Sequence, residues 1–587
     1  MTNCFIGIDV GSKSVRAVAI GSDDGAILAK CEHPISYEVD PQDKSYITSS
    51  QEDLWNATVY CIRGAIEHMA FEPVVEAICV DATCSLAVSK VTSKGTVLPQ
   101  DTDHLYGEGK CEEKDREKDK DKDREKDKGI VFWMDHRSKE CWTPDGCKEY
   151  LNKLGGCFIP EMAVPKVQKI YHDLRHLGRE AEFQQLLFFD LHNWLECMLI
   201  DGPQNLNAKG STLSEEWYNH ENIGIDGSLA GFTLEFYNRS CKIPLQSEQI
   251  RQGRSRLDSG VPFAGEVLGT VNKSLESALG IKQKQPVNVC SGLIDCYASF
   301  FTNFATNNVP QNQICAENTV IMVAGTSACY LTASRKPIEP PNGMWGGFQI
   351  MPGQWFYEGG LSCCGILLEN LFDYHPCSPK ARGMNPKSAS FWYEVDRMVK
   401  DETSAFSCPW MMNATKYYSG EYLGNRTPFN DSQISAYMIG GSMVPDRADF
   451  VSRYLLILEH IVLESRLMLQ CFVEDSFPVK NILVCGSFSK NNLFLGLMSQ
   501  VLHAKLGIYV VKSAGNAVDE KFQSALGMAR LARSKLTSCA KLDAGTFSFI
   551  HSEDDQKLVE LMDVKYEMLE HMIRLQQSFN DRVHNIT

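Results

Sequence analysis

Residues 5–16 read FIGIDVGSKSVR: an apolar run breaks at a glycine/serine turn and then resumes. Phe5, Ile6, Ile8 and Val10 have the length and composition of a buried strand, which Gly11, Ser12 and Ser14 interrupt. Asp9 lies inside that strand. A carboxylate beside such a turn suits a metal and a phosphate, because glycine lets backbone N–H groups approach an anion closely. An ordinary hairpin turn with a satisfied Asp fits these residues equally well. The design recurs at 319–332, TVIMVAGTSACYLT, so the chain reads as two related halves, each with one hairpin able to grip phosphate. A third turn, ILVCGSFSKNNLF at 482–494, leaves a strand through Gly486 and Ser487 and enters a helical run. The P-loop and dinucleotide-fold glycine motifs are absent.

At 587 residues the chain exceeds one hydrophobic core and predicts two to four domains. A formal net charge of -16 argues against a nucleic-acid partner, although a locally positive site for an anionic ligand remains open. There is no run of 18 or more apolar residues and no signal-peptide pattern, so the reading is cytoplasmic with no membrane partner. The 22 cysteines show no C-x-x-C pair or Cys/His zinc spacing, so neither a metal site nor a disulfide framework is expected of them. From 109 to 129 lysine and arginine alternate with aspartate and glutamate, which predicts a solvated insertion between the strands LAVSKV and IVFWM. Leu558, Leu561, Met562, Met568, Leu569, Met572 and Leu575 fall at helical spacing and predict an amphipathic terminal helix packed on the body.

Order and spacing make these turns specific together. Two hairpins and a late glycine turn resemble the actin, hexokinase and sugar-kinase architecture, in which two domains close on ATP. VDATCSL (80–86), FWMDHRS (132–138), PEMAVPK (160–166), GLIDCYAS (292–299), EGGLSCCG (358–365) and LGNRTP (423–428) resemble the FGGY family of carbohydrate kinases, most closely its ribulokinase-like branch. The resemblance implies an α/β protein of two actin-like (ribonuclease H-like) ATPase domains with an interdomain cleft. Residues 1–300 would form the mainly sugar-binding domain and 301–535 the mainly nucleotide-binding one, with 536–587 a C-terminal extension. It implies ATP- and Mg2+-dependent phosphorylation of a terminal hydroxyl on a ketopentose, D-ribulose first. The alternatives are a kinase for another sugar or polyol, and a catalytically impaired sugar- or nucleotide-binding regulator. A small-molecule sugar is the expected partner, and the reading leaves room for a homodimer.

Phosphoryl transfer needs charge neutralisation, donors around the phosphates and a group to accept the sugar hydroxyl proton. By resemblance, Asp9 is the metal-side carboxylate. Gly11, Ser12, Lys13 and Ser14 contact one phosphate group, and Gly325, Thr326 and Ser327 another. Asp295 stands in the position of the family's base; its structural alternative is a helix cap after the VNVCSGLI strand. Gly486, Ser487 and Asn491 resemble the adenosine turn. On the sugar side Trp133 offers an aromatic face, and Asp135, His136 and Arg137 offer hydrogen-bonding groups on a strand end, or else a strand-end salt bridge. Cys84 and Glu358 line the implied substrate pocket, and Lys166 belongs to the P-K element close to it.

Three departures bear on substrate choice. Relatives carry a C-K-W segment whose lysine contacts the sugar; the nearest text here is STLSEEWYNHE, with Trp217 the counterpart, Glu216 in place of lysine, and Lys209 nearby. Cys485-Gly486-Ser487 replaces a double glycine. Cys296-Tyr297 follows Asp295 where Ala-His is usual.

Overall fold

The computed structural model describes residues 2–91, 97–100, 102, 127–138, 151–203, 229, 232, 234–246, 249–250, 263–304, 314–341, 343–474, 477–502, 506–511, 520–537, 547–550 and 555–586. Strands β1 (Thr2–Val10), β2 (Ser14–Gly21) and β3 (Ile27–Pro34) form an antiparallel meander. β4 (Pro73–Ala82) runs parallel to β1, followed across the sheet by β6 (Asn288–Ile294) and the edge strand β5 (Val267–Thr270), giving the order β5-β6-β4-β1-β2-β3. β1 and β4 are apolar almost throughout because a parallel pair is covered on both faces.

A second sheet repeats the plan. Its strands are β7 (Thr319–Ala324), β8 (Ala328–Ser334), β9 (Trp345–Met351), β10 (Gln354–Leu361), β11 (Asn481–Gly486), β12 (Gly507–Val511) and β13 (Phe547–Phe549). They lie in the order β9-β10-β8-β7-β11-β12-β13. The run β3-β2-β1-β4-β6 of one sheet therefore corresponds to β10-β8-β7-β11-β12 of the other, and the sequence repeat supplies the β1–β2 and β7–β8 hairpins at matching places.

The helices that bear on the site are α1 (Gln51–Glu67), α2 (Ala163–His176), α3 (Asp295–Phe304), α4 (Gly365–Tyr374), α5 (Arg447–Glu474), α6 (Asn492–Leu502), α7 (Gln523–Leu536) and α8 (Gln556–His584). Ser50 caps α1 by accepting from the Asp53 amide, and the helix covers β2 and β3. On the opposite face α7 packs on β1, β4 and α3. Residues 523–535, grouped by sequence with the second domain, thus pack on the first sheet. The reason is close approach: a Cβ on Gly7 would fall 1.9 Å from the Ala525 carbonyl oxygen. Buried Arg533 fixes the helix end by donating to the carbonyls of Ser22 at 2.7 Å and Asp23 at 2.8 Å. β13 in turn extends the second sheet beyond residue 535.

Helix α8 packs on α5 and α6, with Leu558, Met562 and Leu569 buried as their spacing predicts. Leu575 is instead 60% exposed and Ile573 takes the inward position, because the buried stripe runs through Met562, Tyr566, Leu569 and Ile573 and a residue two further on points about 200° away from it. The strands flanking the charged insertion, Leu86–Val91 and Ile130–Val131, pair with each other. Residues 109–126 of that segment, and Lys209, Glu216 and Trp217, lie outside the described residues. All the described cysteines are free.

Candidate active site

The two hairpins face a cavity of about 170 Å3, lined by Ser12 after β1, Cys84 after β4, Asp295 at the start of α3, and Gly325, Thr326 and Ser327 between β7 and β8. Of the first hairpin only Ser12 lines it. Ser12 Oγ accepts from Trp133 Nε1 at 3.0 Å, Ser14 Oγ turns to Glu32 at 3.2 Å, and exposed Lys13 reaches Glu369 of α4 at 3.0 Å. The Gly11 amide closes the hairpin on the Ser14 carbonyl at 3.1 Å.

Three carboxylates converge at the strand ends. Asp9 and Asp81 are register partners across β1 and β4, and Asp295 follows the last residue of β6. Asp9 is 4% exposed and its Oδ2 accepts from Arg16 Nη1 at 2.9 Å. Burial raises its pKa, with Arg16 opposing. Asp81 is fully buried; apart from the facing carboxyl of Asp9, neither of its oxygens meets a hydrogen-bond partner. Desolvation and then the charges of Asp9 and Asp295 push its pKa well above the usual carboxylate range. Asp295, turned toward the cavity, is raised to about 7, by desolvation first and then by Asp9.

The sugar-side expectations divide. Trp133, Cys84 and Asp295 line the cavity, while Asp135, Arg137 and Lys166 lie behind it. Arg137 makes a paired contact to Asp135 at 2.6 and 2.7 Å, Asp135 also accepts from the Ile47 amide at 2.7 Å, and the guanidinium covers the Tyr46 ring at 4.4 Å. That pair is the strand-end salt bridge. His136 faces Glu161 at 3.4 Å, and Glu161 does line the cavity. Burial opposes ionisation of Glu161, yet His136 beside it brings its pKa down to about 2. Lys166 donates to the carbonyls of Phe132 at 2.9 Å, Trp133 at 3.2 Å and Glu161 at 2.8 Å, which pins the Trp133 loop to the start of α2. Glu358 is buried with Oε1 on Arg426 at 2.8 Å, and Arg426 covers the Trp345 ring at 4.5 Å.

Of the residues expected to meet the nucleotide, Gly325 is open toward the cavity: an added Cβ would meet only the Ser327 carbonyl oxygen, at 3.9 Å. The Gly325 carbonyl accepts from the Gly365 amide at 2.9 Å, which joins this hairpin to the start of α4. Gly486 is the register partner of Ala324, and exposed Ser487 follows it. At φ 83° Gly486 approaches so closely that a Cβ would lie 2.3 Å from the Ala324 oxygen. Asn491 is engaged locally, accepting from the Phe494 amide at 3.0 Å and donating to the Tyr454 hydroxyl at 2.9 Å.

Residues 320–534 match the model of the FGGY family of carbohydrate kinases, C-terminal domain. The chain carries the C-terminal domain of an FGGY-family carbohydrate kinase. This kinase is 28% identical over 522 residues to D-ribulokinase YDR109C of Saccharomyces cerevisiae, covering 84% of this chain and 68% of that protein. It is 27% identical to protein MPA43 of the same yeast, covering 90% of this chain and 86% of that one. Its fold is that of a gluconate kinase from Lactobacillus acidophilus at TM-score 0.65 and 14% identity, covering 99% of this chain and 100% of that one. The two-domain actin-like, ribonuclease H-like architecture is thereby the fold of this kinase, and its reaction class is phosphotransfer to an alcohol group. Among the described residues, no helix is long and apolar enough to cross a membrane.

Sequence reasoning passed over Asp81, Glu161 and Arg426. All three stand inside segments singled out above, DATCS, PEMAVPK and LGNRTP. What the sequence lacks is the pairing: Asp81 meets Asp9, and Arg426 meets Glu358, only once the sheets form.

Proposed function

We propose that this kinase transfers the terminal phosphoryl group of ATP to a terminal hydroxyl of a ketopentose, converting D-ribulose to D-ribulose 5-phosphate in the cytoplasm. One observation carries the reading: Asp295, raised to about 7, faces the same cavity as Trp133, Cys84 and the Gly325 hairpin. A carboxylate with that pKa is half-ionised near neutrality and so accepts a hydroxyl proton effectively at working pH. Trp133 and Cys84 would bound the sugar, and the Gly325–Ser327 turn would receive phosphate oxygens on its backbone N–H groups.

The donor set fits magnesium. Asp9 and Asp81 offer hard carboxylate oxygens, and those of Asp81 are buried without a donor, which suits an oxygen-seeking cation. Held by these carboxylates, a magnesium ion would supply charge neutralisation for the transferring group. Asp9 is held by Arg16 so that one oxygen is committed, and Asp295 takes the proton. The curated D-ribulokinase among the relatives favours the pentulose.

ADP release by the purified protein with D-ribulose, D-xylulose, ribitol and glycerol tests the substrate. The reading requires the highest kcat/KM with D-ribulose. A preference for a polyol replaces the pentulose, and no turnover with any of them favours the regulator.

A further inference from the structure

Glu358 turns one oxygen to a cation and the other to a thiol. Its Oε1 accepts from Arg426 at 2.8 Å, while Oε2 lies 3.7 Å from Cys296 Sγ. Cys329 brings a second sulfur. The two sulfurs and a Glu358 oxygen all lie within 4.8 Å of one another, the sole such group of three or more His, Cys, Asp and Glu ligands among the described residues. Cys296 follows Asp295 on α3, which touches strands of both sheets; Cys329 and Glu358 stand on adjacent strands β8 and β10 of the second. Cys329 pairs in register with Gly360 and Leu331 with Glu358, so Cys329 and Glu358 are diagonal neighbours on one face, and Gly360 places no side chain between them. Cys296 and Cys329 also line the cavity.

A tetrahedral zinc ion has Zn–S of about 2.3 Å and Zn–O of about 2.0 Å, hence a sulfur-to-oxygen edge of about 3.5 Å. The 3.7 Å separation of Cys296 and Glu358 is close to that edge. Charge balances as well. Two thiolates and a carboxylate are offset by a divalent cation together with the Arg426 guanidinium, which stays on Oε1.

We propose that Cys296, Cys329 and Glu358 form a binding site for zinc or a similar thiophilic divalent cation, and that its occupancy ties α3 to the second sheet and blocks the kinase. Binding takes both thiols to thiolates and releases two protons to solvent, with no change of oxidation state. The fourth position opens on the cavity beside Asp295. Magnesium, which prefers oxygen ligands, does not compete for the sulfurs. The blocking effect rests on the sugar-site reading above; the binding itself does not.

The full chain, reduced and freed of metal, is titrated with Co2+ and then Zn2+. The expected result is a thiolate-to-cobalt charge-transfer absorption that saturates at one equivalent and is displaced by Zn2+. Cys296→Ser and Cys329→Ser should each remove it and weaken Zn2+ binding at least about tenfold. Zn2+ should also shield both cysteines of the parent from alkylation, read by peptide mass spectrometry, which decides the matter if a serine variant fails to fold. No such absorption in the parent, an absorption unchanged in both variants, or undiminished alkylation of both cysteines overturns the proposal. These readings need no turnover, so their failure leaves the D-ribulose assignment standing, and failure of that assignment leaves them interpretable.

Discussion

Lys166 Nζ donates to the Phe132 carbonyl at 2.9 Å, from a position with no exposure to solvent or cavity. Burial lowers its pKa to about 8, yet the amine donates to three carbonyls; that of Phe132 also accepts from the Asp135 amide at 3.0 Å and that of Glu161 from the more distant Cys84 thiol at 4.0 Å, and neither contact replaces the ammonium. Lys166→Met should therefore destabilise the fold by at least about 1–3 kcal/mol, the scale for buried acceptors left unmade. Urea unfolding checks it. Unchanged stability with a raised KM for the sugar would mean that the lysine reaches the substrate instead.

Arg426 lines the cavity and Glu358 lies buried behind it, and removing one partner of the pair strands the other. Arg426→Met should cost about 3–5 kcal/mol, while Arg426→Met with Glu358→Gln should recover a large share. Denaturant midpoints of the parent, the two single variants and the double variant test the coupling; additive losses would show that the contact carries no energy.

Burial, followed by Asp9, raises the Asp295 pKa from 3.8 to about 7. Between those values the unfolded chain binds fewer protons than the folded one, so this group lowers stability as pH rises from about 4 to 7. Asp295→Asn removes the effect. Its melting temperature relative to the parent should be higher at pH 8 than at pH 4, read by calorimetry. Parallel pH profiles would mean that Asp295 ionises normally.

The fold was legible because its signals are local: each strand-turn-strand repeat is contiguous, and the register of β1 with β2 follows from its turn. Asp295 was legible for the same reason, standing where β6 ends and α3 begins. Asp135 and Arg137 were ambiguous. Two residues apart, they read either as hydrogen-bonding groups offered to a ligand or as a strand-end salt bridge, and only the fold shows them closed on each other behind the cavity. Asp81 stayed silent because its meaning depends on Asp9, brought beside it by parallel pairing. The packing of helix α7 on the first sheet was silent because the glycine that admits it, Gly7, lies more than 500 positions away.

Gly486 is required by both its φ of 83° and its contact with the Ala324 carbonyl. Gly486→Ala should destabilise by about 1–3 kcal/mol and weaken nucleotide binding more than sugar binding, because Ala324 leads into the Gly325 hairpin. Thermal unfolding and calorimetric titration with ADP measure the two effects. An alanine variant with parental nucleotide affinity would detach this turn from the nucleotide site.

The account turns on Asp295 as the proton acceptor, and the turnover of Asp295→Asn with D-ribulose and saturating ATP tests that most directly. The side chain keeps its size and loses its basicity. The account predicts a kcat at least about a hundredfold below the parent with nucleotide affinity little changed. A variant that turns over D-ribulose at the parent's rate would contradict it.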